Sequence, residues 1–475
     1  MVQPASKYPT LYELNIRAQL SELAARLGRP ATLDDVRTTE LERLAAHGFE
    51  WVWLLGVWQT GEAGRRISRT LPELRARYEQ LLPGFRDADV CGSPFAIVSY
   101  TVSEELGGDG ALARFRARLR ERGMRLMLDF IPNHTAIDHP WVGAHPEFYV
   151  RGSASELSQQ PGNYLLIQDA GVFAHGRDPY FPGWADTLQL NYGSDLLQDA
   201  MRGELRKIAA ICDGVRCDMA MLLTPEVFQR TWGIDMRPFW PEAICGVRSV
   251  YPDFLFMAEV YWDMEWNLQQ QGFDYTYDKR LYDRLRNHDA AGVRSHLSAG
   301  RDFQDKSTRF LENHDEARAT EVFSPEVHRA AALTTYFVPG MRFFHDGQID
   351  GKRIEAPVHL CRRALEPVDE PLREFYSHLL SCLSLSVFRS GNWEMLETSA
   401  EACFAFHWKD GHSQSLVLVN FSPGESACHA RVTDLTGTLE LRDQMTGAIY
   451  QRDAQELSFE LPPWGYKVLL LRSHL

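Results

Sequence analysis

The chain has no run of ~18 or more apolar residues, the length a helix needs to span a bilayer, so a helical membrane protein is excluded. Its first residues, MVQPASKYPTLYELN, lack the apolar core of a secretory signal, and the expected compartment is the cytoplasm. Positive charge is in deficit. The 50 lysines and arginines stand against 64 aspartates and glutamates, a net charge of −14. Nucleic acid and anionic membrane surfaces both require a basic face, so neither is an expected partner. Eight cysteines are scattered through 475 residues without a C-x-x-C pair. That disfavours a structural zinc site and a dithiol redox motif, and leaves reduced core cysteines. No internal repeat or low-complexity tract occurs.

What is present is enough apolar residue for substantial cores, 44% of the chain with 12 tryptophans. Short apolar runs alternate with helical segments. Strands are expected at LYELNI (from Leu11), WVWLL (from Trp51), LMLDFI (from Leu126), GVRCD (from Gly214), LFMAE (from Leu255), FDYTY (from Phe273), RFLEN (from Arg309) and MRFFH (from Met341). Helical patterns between them include ELERLAAHG, closed by Gly48, the Arg-rich GALARFRARLRERG, LLQDAMRGELRKIAAIC and LYDRLRNHDAAGVRSHL. This order fits an α/β fold, a (β/α)8 barrel. The Pro- and Gly-punctuated stretch after the third strand is too long for an ordinary connection and reads as an inserted subdomain. From Met395 the texture changes to short alternating runs such as FAFHW, SLVLVNF and YKVLLL split by turn residues, an antiparallel β-sandwich. The expected domains are residues 1–135 and 192–394 for the two parts of the barrel, 136–191 for the insertion and 395–475 for the sandwich.

In such a barrel chemistry sits at the C-terminal ends of the strands. Four strands end in acidic or imidazole groups. The third gives Asp129, Asn133 and His134 (DFIPNH), and the fourth Arg216 and Asp218 (GVRCD). The fifth gives Glu259 (MAEVYW), and the seventh Asn313, His314 and Asp315 (LENHDEAR). Singly, each has an ordinary explanation as a helix cap or a satisfied loop residue; four on one rim do not. Residues two apart on a strand share a face, so Arg216 lies beside Asp218 and favours its ionised form. Strands four and five are neighbours, so Asp218 and Glu259 are expected to flank one bond with carboxyl groups ~5–5.5 Å apart. No H-x-H occurs, which disfavours a metal-dependent hydrolase on the same barrel.

These segments resemble those of the α-amylase family of glycoside hydrolases. DFIPNH is similar to its D-x-V-x-N-H segment, GVRCD to G-x-R-x-D, MAEVYW to its acid/base segment and ENHDEAR to N-H-D, in the same order and on the same strands. WADTLQLNY, SPFAIVSYTV and LPPWGYKVLLL extend the resemblance over nearly the whole chain. It implies a retaining enzyme acting on α-glucosidic bonds through a covalent glycosyl-enzyme intermediate. Asp218 would be the nucleophile, Glu259 the acid and then base, and Asp315 the transition-state stabiliser. Arg216 would position Asp218, His134 and His314 would hydrogen-bond the sugar, and Asp129 and Asn133 would brace the rim. The implied partner is a small-molecule carbohydrate, with no cofactor.

The chain departs from the family pattern in ways that bear on substrate. Phe95 replaces the usual stacking tyrosine and Ala96 an aspartate of exo-acting members; Met221 and Leu222 replace polar contacts beyond the cleaved bond. Gln189 replaces a frequent calcium-ligand aspartate, so no metal is expected. Trp58, Tyr261, Trp262 and Trp266 are candidate sugar platforms, and Arg65 and Arg66 candidate phosphate contacts. Small α-glucosides or oligosaccharides are the expected substrates. A transglycosylase or phosphorylase would carry the same three carboxylates. A sugar-binding protein on an inactive amylase-like scaffold would have lost at least one.

Overall fold

The computed structural model describes residues 6–432, 435, 437–454 and 457–473. Eight parallel strands close into a barrel. They are Thr10–Asn15, Trp51–Leu55, Arg125–Phe130, Gly214–Cys217, Leu255–Ala258, Tyr275–Tyr277, Ser307–Arg309 and Met341–His345, each bonded to its neighbours in sequence order and the first to the eighth. TLYELN and WVWLL are buried along their whole length. Strands covered on both faces read as continuous apolar runs rather than alternating ones. The seventh strand is shorter and earlier than RFLEN suggests, because pairing stops at Arg309. Phe310 to Asn313 run on without ladder bonds and carry His314 and Asp315 onto the rim.

Two connections on that rim are long. Between the second and third strands the chain forms a hairpin of Trp58–Thr60 with Ile97–Val102 around helices Glu62–Thr70 and Pro72–Leu81. After the third strand His134–Ala136 pairs with Thr187–Gln189, and Tyr164–Ile167 with Gly171–Ala174. The first helix, Ile16–Leu27, is absent from the sequence reading. Asn15 caps its start by accepting from the Ala18 amide, and Gly28 ends it in the left-handed region at φ 68°.

The C-terminal region forms a six-stranded antiparallel sheet facing the pair Ser426–Ala430 and Leu457–Leu461. Strand alternation divides its side chains. Along Cys403–Asp410, Cys403 and Ala405 join Leu416, Leu439 and Phe459 in a core between the sheets. Phe404, Phe406 and Trp408 point the other way and merge with the barrel core. The Trp408 indole donates to the Phe337 carbonyl (2.9 Å). All eight cysteines are free, six of them buried. Among the described residues no helix is long and apolar enough to cross a membrane.

Arg342 on the eighth strand anchors this junction. Its guanidinium is fully buried and donates to the carbonyls of Tyr336 (2.8 Å), Tyr8 (2.7 Å) and Phe388 (2.6 Å). Burial pulls its pKa down to about 10, still cationic at neutral pH. Arg342→Met should strip three buried carbonyls of their donors and cost about 3 kcal/mol or more. A lowered urea midpoint and melting temperature are expected; a change under about 0.5 kcal/mol would mean that the carbonyls find other donors.

Candidate active site

The fourth strand can approach its neighbours closely because Gly214 carries no side chain; a Cβ there would lie 2.9 Å from the Leu255 carbonyl oxygen and 3.0 Å from the Trp51 ring. Two residues on, Arg216 points into the barrel between Asp129 of the third strand and Met257 of the fifth. Its side chain is 1% exposed. A cation this deep is tolerable only if compensated. Nη1 contacts Asp218 Oδ1 (2.6 Å) and stands 3.6 Å from Asp129 Oδ1, while Nη2 contacts Glu259 Oε2 (2.7 Å). The rings of Trp53, Phe95 and Tyr277 surround the guanidinium at 5.4, 5.3 and 5.9 Å. One fork therefore spans the carboxylates at the tips of two adjacent strands. Their backbones continue the ladder, Asp218 N donating to Phe130 O (2.8 Å) and Glu259 N to Cys217 O (3.0 Å).

Two further donors hold Glu259, neither legible as such in the sequence. Met219 sits in the left-handed region (φ 43°), and its amide donates to Glu259 Oε2 (2.7 Å). The Tyr261 hydroxyl donates to Oε1 (2.9 Å); the sequence offered Tyr261 as a sugar platform. Burial pushes the Glu259 carboxyl up to about 7. Arg216 and the Met219 amide oppose the rise, and the charges of Asp218 and Asp315 add to it. Asp129 rises to about 7 for the same leading reason. Asp218 also lies above the ordinary aspartate range. Arg216 does favour its ionised form, as the spacing implied, but the dry surroundings act against it. Asp315 goes the other way: burial would raise it, and the charge of the adjoining His314 holds it low.

Asp315 lines the open side of the site, its side chain 43% exposed against 6% for Asp218 and 4% for Glu259. Asn313 shapes this turn by accepting from the amides of Asp315 and Glu316 (2.9 and 3.0 Å). His314 reaches Asp315 Oδ2 through Nε2 (2.9 Å) and Glu13 Oε1 through Nδ1 (2.6 Å). Glu13 Oε2 in turn contacts His345 Nδ1 (2.7 Å). Glu13 and His345 passed unnoticed in the sequence, since neither has a partner at a fixed spacing along its own strand.

Asp218, Glu259, Asp315, Arg216, Asp129, His314 and Phe95 thus converge. Phe95 lies against His314 (ring centroids 5.6 Å). His134 is buried and pushed down to about 3, hence neutral, and it hydrogen-bonds the Phe95 backbone with Trp184 at 5.1 Å. Trp262, in the left-handed region at φ 64°, turns toward Tyr180 of the insertion (5.1 Å). Trp58 is core, its indole donating to the Asp129 carbonyl (2.8 Å). Arg65 pairs with Glu105 and Glu62. Met221 and Leu222 are buried in the hydrophobic core at 0% and 3% exposure and present no face to a substrate; the expectation that they shape the acceptor side loses its physical basis. A polar cavity of about 950 Å³ opens at the opposite, N-terminal end of the barrel and contains none of these residues.

The residues at Gln189 do not fit a calcium ion. Gln189 and Asn133 pair their amides reciprocally, Nε2 to Oδ1 at 3.0 Å and Nδ2 to Oε1 at 3.1 Å, and Gln189 Nε2 also faces the carbonyls of Asn133 and Leu190. A hard cation needs several free oxygens, and here an NH2 group occupies their centre. Chelator treatment should leave melting temperature and activity unchanged; a marked fall in either would place a cation elsewhere.

Residues 96–160 match the sequence model of the alpha amylase catalytic domain. Alpha-amylase 3 of Dictyoglomus thermophilum is 21% identical over 301 residues, 57% of this chain and 56% of that protein. The alpha-1,4-glucan:maltose-1-phosphate maltosyltransferase of Bifidobacterium longum is 25% identical over 273 residues, 54% of this chain and 30% of that protein. The chain therefore spans little more than half of the first relative and under a third of the second. Among solved structures, a noncanonic maltogenic alpha-amylase, AmyB of Thermotoga neapolitana, superposes with a TM-score of 0.72 at 19% identity, covering 98% of this chain and 99% of that one. The sequence match over residues 96–160, the shared fold and the four motif segments at the tips of strands three, four, five and seven agree, and all liken the chain to the α-amylase family of glycoside hydrolases.

Proposed function

We propose that this chain is a retaining enzyme acting on α-glucosidic bonds, with Asp218 as nucleophile, Glu259 as general acid and then base, and Asp315 as stabiliser of the oxocarbenium-like transition state. The observation that carries the reading is the single Arg216 guanidinium bridging Asp218 and Glu259. A shared fork keeps two carboxyl groups close, as double displacement requires, whereas an inverting site leaves ~6.5–9.5 Å for a water. Asp218 attacks the anomeric carbon while Glu259 protonates the departing oxygen. Glu259 Oε2 already accepts from the Met219 amide and Arg216, so the transferable proton resides on Oε1, beside Tyr261. Glu259 then takes a proton from the incoming acceptor, which attacks the glycosyl-Asp218 ester. All three carboxylates being present speaks against an inactive sugar-binding scaffold.

The acceptor decides between hydrolysis and transfer. Incubation with a panel of α-linked disaccharides and soluble starch, with and without phosphate, separates the outcomes by product. Free glucose supports hydrolysis, longer or isomerised saccharides support transfer, and a sugar phosphate supports phosphorolysis. No turnover of any α-glucoside would overturn the reading.

Asp218→Asn should abolish turnover with the fold intact. Glu259→Gln should retain slow reaction with nitrophenyl glycosides, whose leaving groups need no proton, while natural substrates lose ~10²–10⁴-fold. Equal losses on both would remove Glu259 as the acid. Since Glu259 must be protonated to act and titrates at about 7, kcat/KM should be high below that pH and fall as pH rises through it. In Glu259→Gln with nitrophenyl substrates this alkaline limb should vanish.

A further inference from the structure

We propose that Glu13 is a positioning residue which, together with His345, holds His314 as an imidazolium whose Nε2–H is directed toward Asp315 and an adjoining sugar hydroxyl. The inference rests on the reading of Asp315 as transition-state stabiliser and adds residues from the first and eighth strands that the family segments do not include.

Glu13 is fully buried, and the strand register places it directly between His345 and Trp53. A lone carboxylate there would be untenable. Each oxygen instead meets one imidazole nitrogen, Oε1 to His314 Nδ1 (2.6 Å) and Oε2 to His345 Nδ1 (2.7 Å). His314 therefore stands between two carboxylates, Glu13 at 2.6 Å and Asp315 at 2.9 Å. A neutral imidazole has one N–H and one lone pair, and the lone pair would face a carboxylate. Only the doubly protonated ring serves both sides.

The ring plane is fixed by Trp53, edge-on at 5.5 Å, and by Phe95 at 5.6 Å. In this plane Nε2 is buried and close to Asp315, yet off the line of a hydrogen bond, so its donor has no aligned acceptor. A buried donor left open beside the carboxylates is a place for a substrate hydroxyl.

The charged groups around the ring agree. Glu13 and Asp315 stabilise the cation; Asp129 and Asp218 add negative charge from strands three and four, Arg216 pairs with Asp218, and His345 contacts the other oxygen of Glu13. Burial alone would lower the pKa of His314, and the charges of Asp315 and Glu13 raise it well above the ordinary histidine value. Burial would raise the Glu13 carboxyl, but the charges and hydrogen bonds of His314 and His345 together hold it far below the ordinary glutamate value. A raised folded-state pKa means that the proton persists as pH rises through ~6.5, where a free histidine loses it.

The test is a titration of the full-length protein labelled with ¹⁵N-histidine. In the wild type both His314 nitrogens should keep imidazolium shifts at about pH 8, well above the free-histidine midpoint. Glu13→Gln retains an acceptor oxygen but removes the charge, so His314 should become neutral between about pH 6 and 8. Its kcat should fall by about tenfold or more on the alkaline side with KM changed less. Glu13→Asp, which keeps the charge, should recover part of the loss. A neutral His314 at about pH 8 in the wild type, or an unchanged titration in Glu13→Gln, would overturn the proposal. The wild-type titration requires neither a variant that folds nor any glycosidase activity, so failure of the proposed function and failure of the Glu13 role are read separately.

Discussion

The site depends on one buried cation. Arg216 brings a guanidinium into the barrel where desolvation is severe, and the surrounding side chains compensate for it. Asp218 and Glu259 take its two nitrogens, Asp129 lies behind, and aromatic rings close the remaining sides. The same contacts fix the relative placement of two carboxylates from different strands. The low dielectric that makes the arrangement costly also separates their behaviour. Glu259 is raised toward neutral pH, while Asp315, beside His314, is held low.

A second chain of contacts runs alongside the first, from the half-exposed Asp315 through buried His314 and Glu13 to His345. It ties the loop after strand seven to strands one and eight, just as Arg216 ties strands three, four and five. Around the closed barrel the two charge networks meet near Trp53 and Phe95, whose rings touch both Arg216 and His314. Strands, or the residues just past their tips, hold Glu13, His345, Arg216, Asp218 and Glu259, while His314 and Asp315 sit on the loop after strand seven, in the turn shaped by Asn313. A site built mostly on strand tips places its groups more closely than one built on loops.

The C-terminal sheets support this scaffold at a distance. Alternation along Cys403–Asp410 sends one row of side chains between the sheets and the other into the barrel core. Trp408 and Arg342 then bind the barrel's N-terminal end to its last helix and to the sheet through backbone carbonyls. That end carries structure, and the opposite rim carries the carboxylates, the usual division of labour in such barrels.

The sequence by itself determined the architecture and the identity of the strand-tip residues. Apolar runs of strand length alternating with amphipathic helices permit few folds, and a spacing of two along GVRCD places Arg216 and Asp218 on one face whatever surrounds them. It missed the first helix and the helical pair between the second and third strands, of which Glu62–Thr70 is amphipathic but carries few apolar residues and Pro72–Leu81 has little apolar periodicity. It also assigned Met221 and Leu222 to a binding surface when they belong to the core. Only the tertiary structure could decide which groups meet across strands. Glu13, His345 and Met219 acquire their roles because barrel closure sets strand eight beside strand one, and because a left-handed backbone turns the Met219 amide onto Glu259. Contacts between residues some three hundred positions apart leave no periodic trace in a single chain, and burial, which sets the proton affinities of these carboxyls, exists only once the barrel has closed.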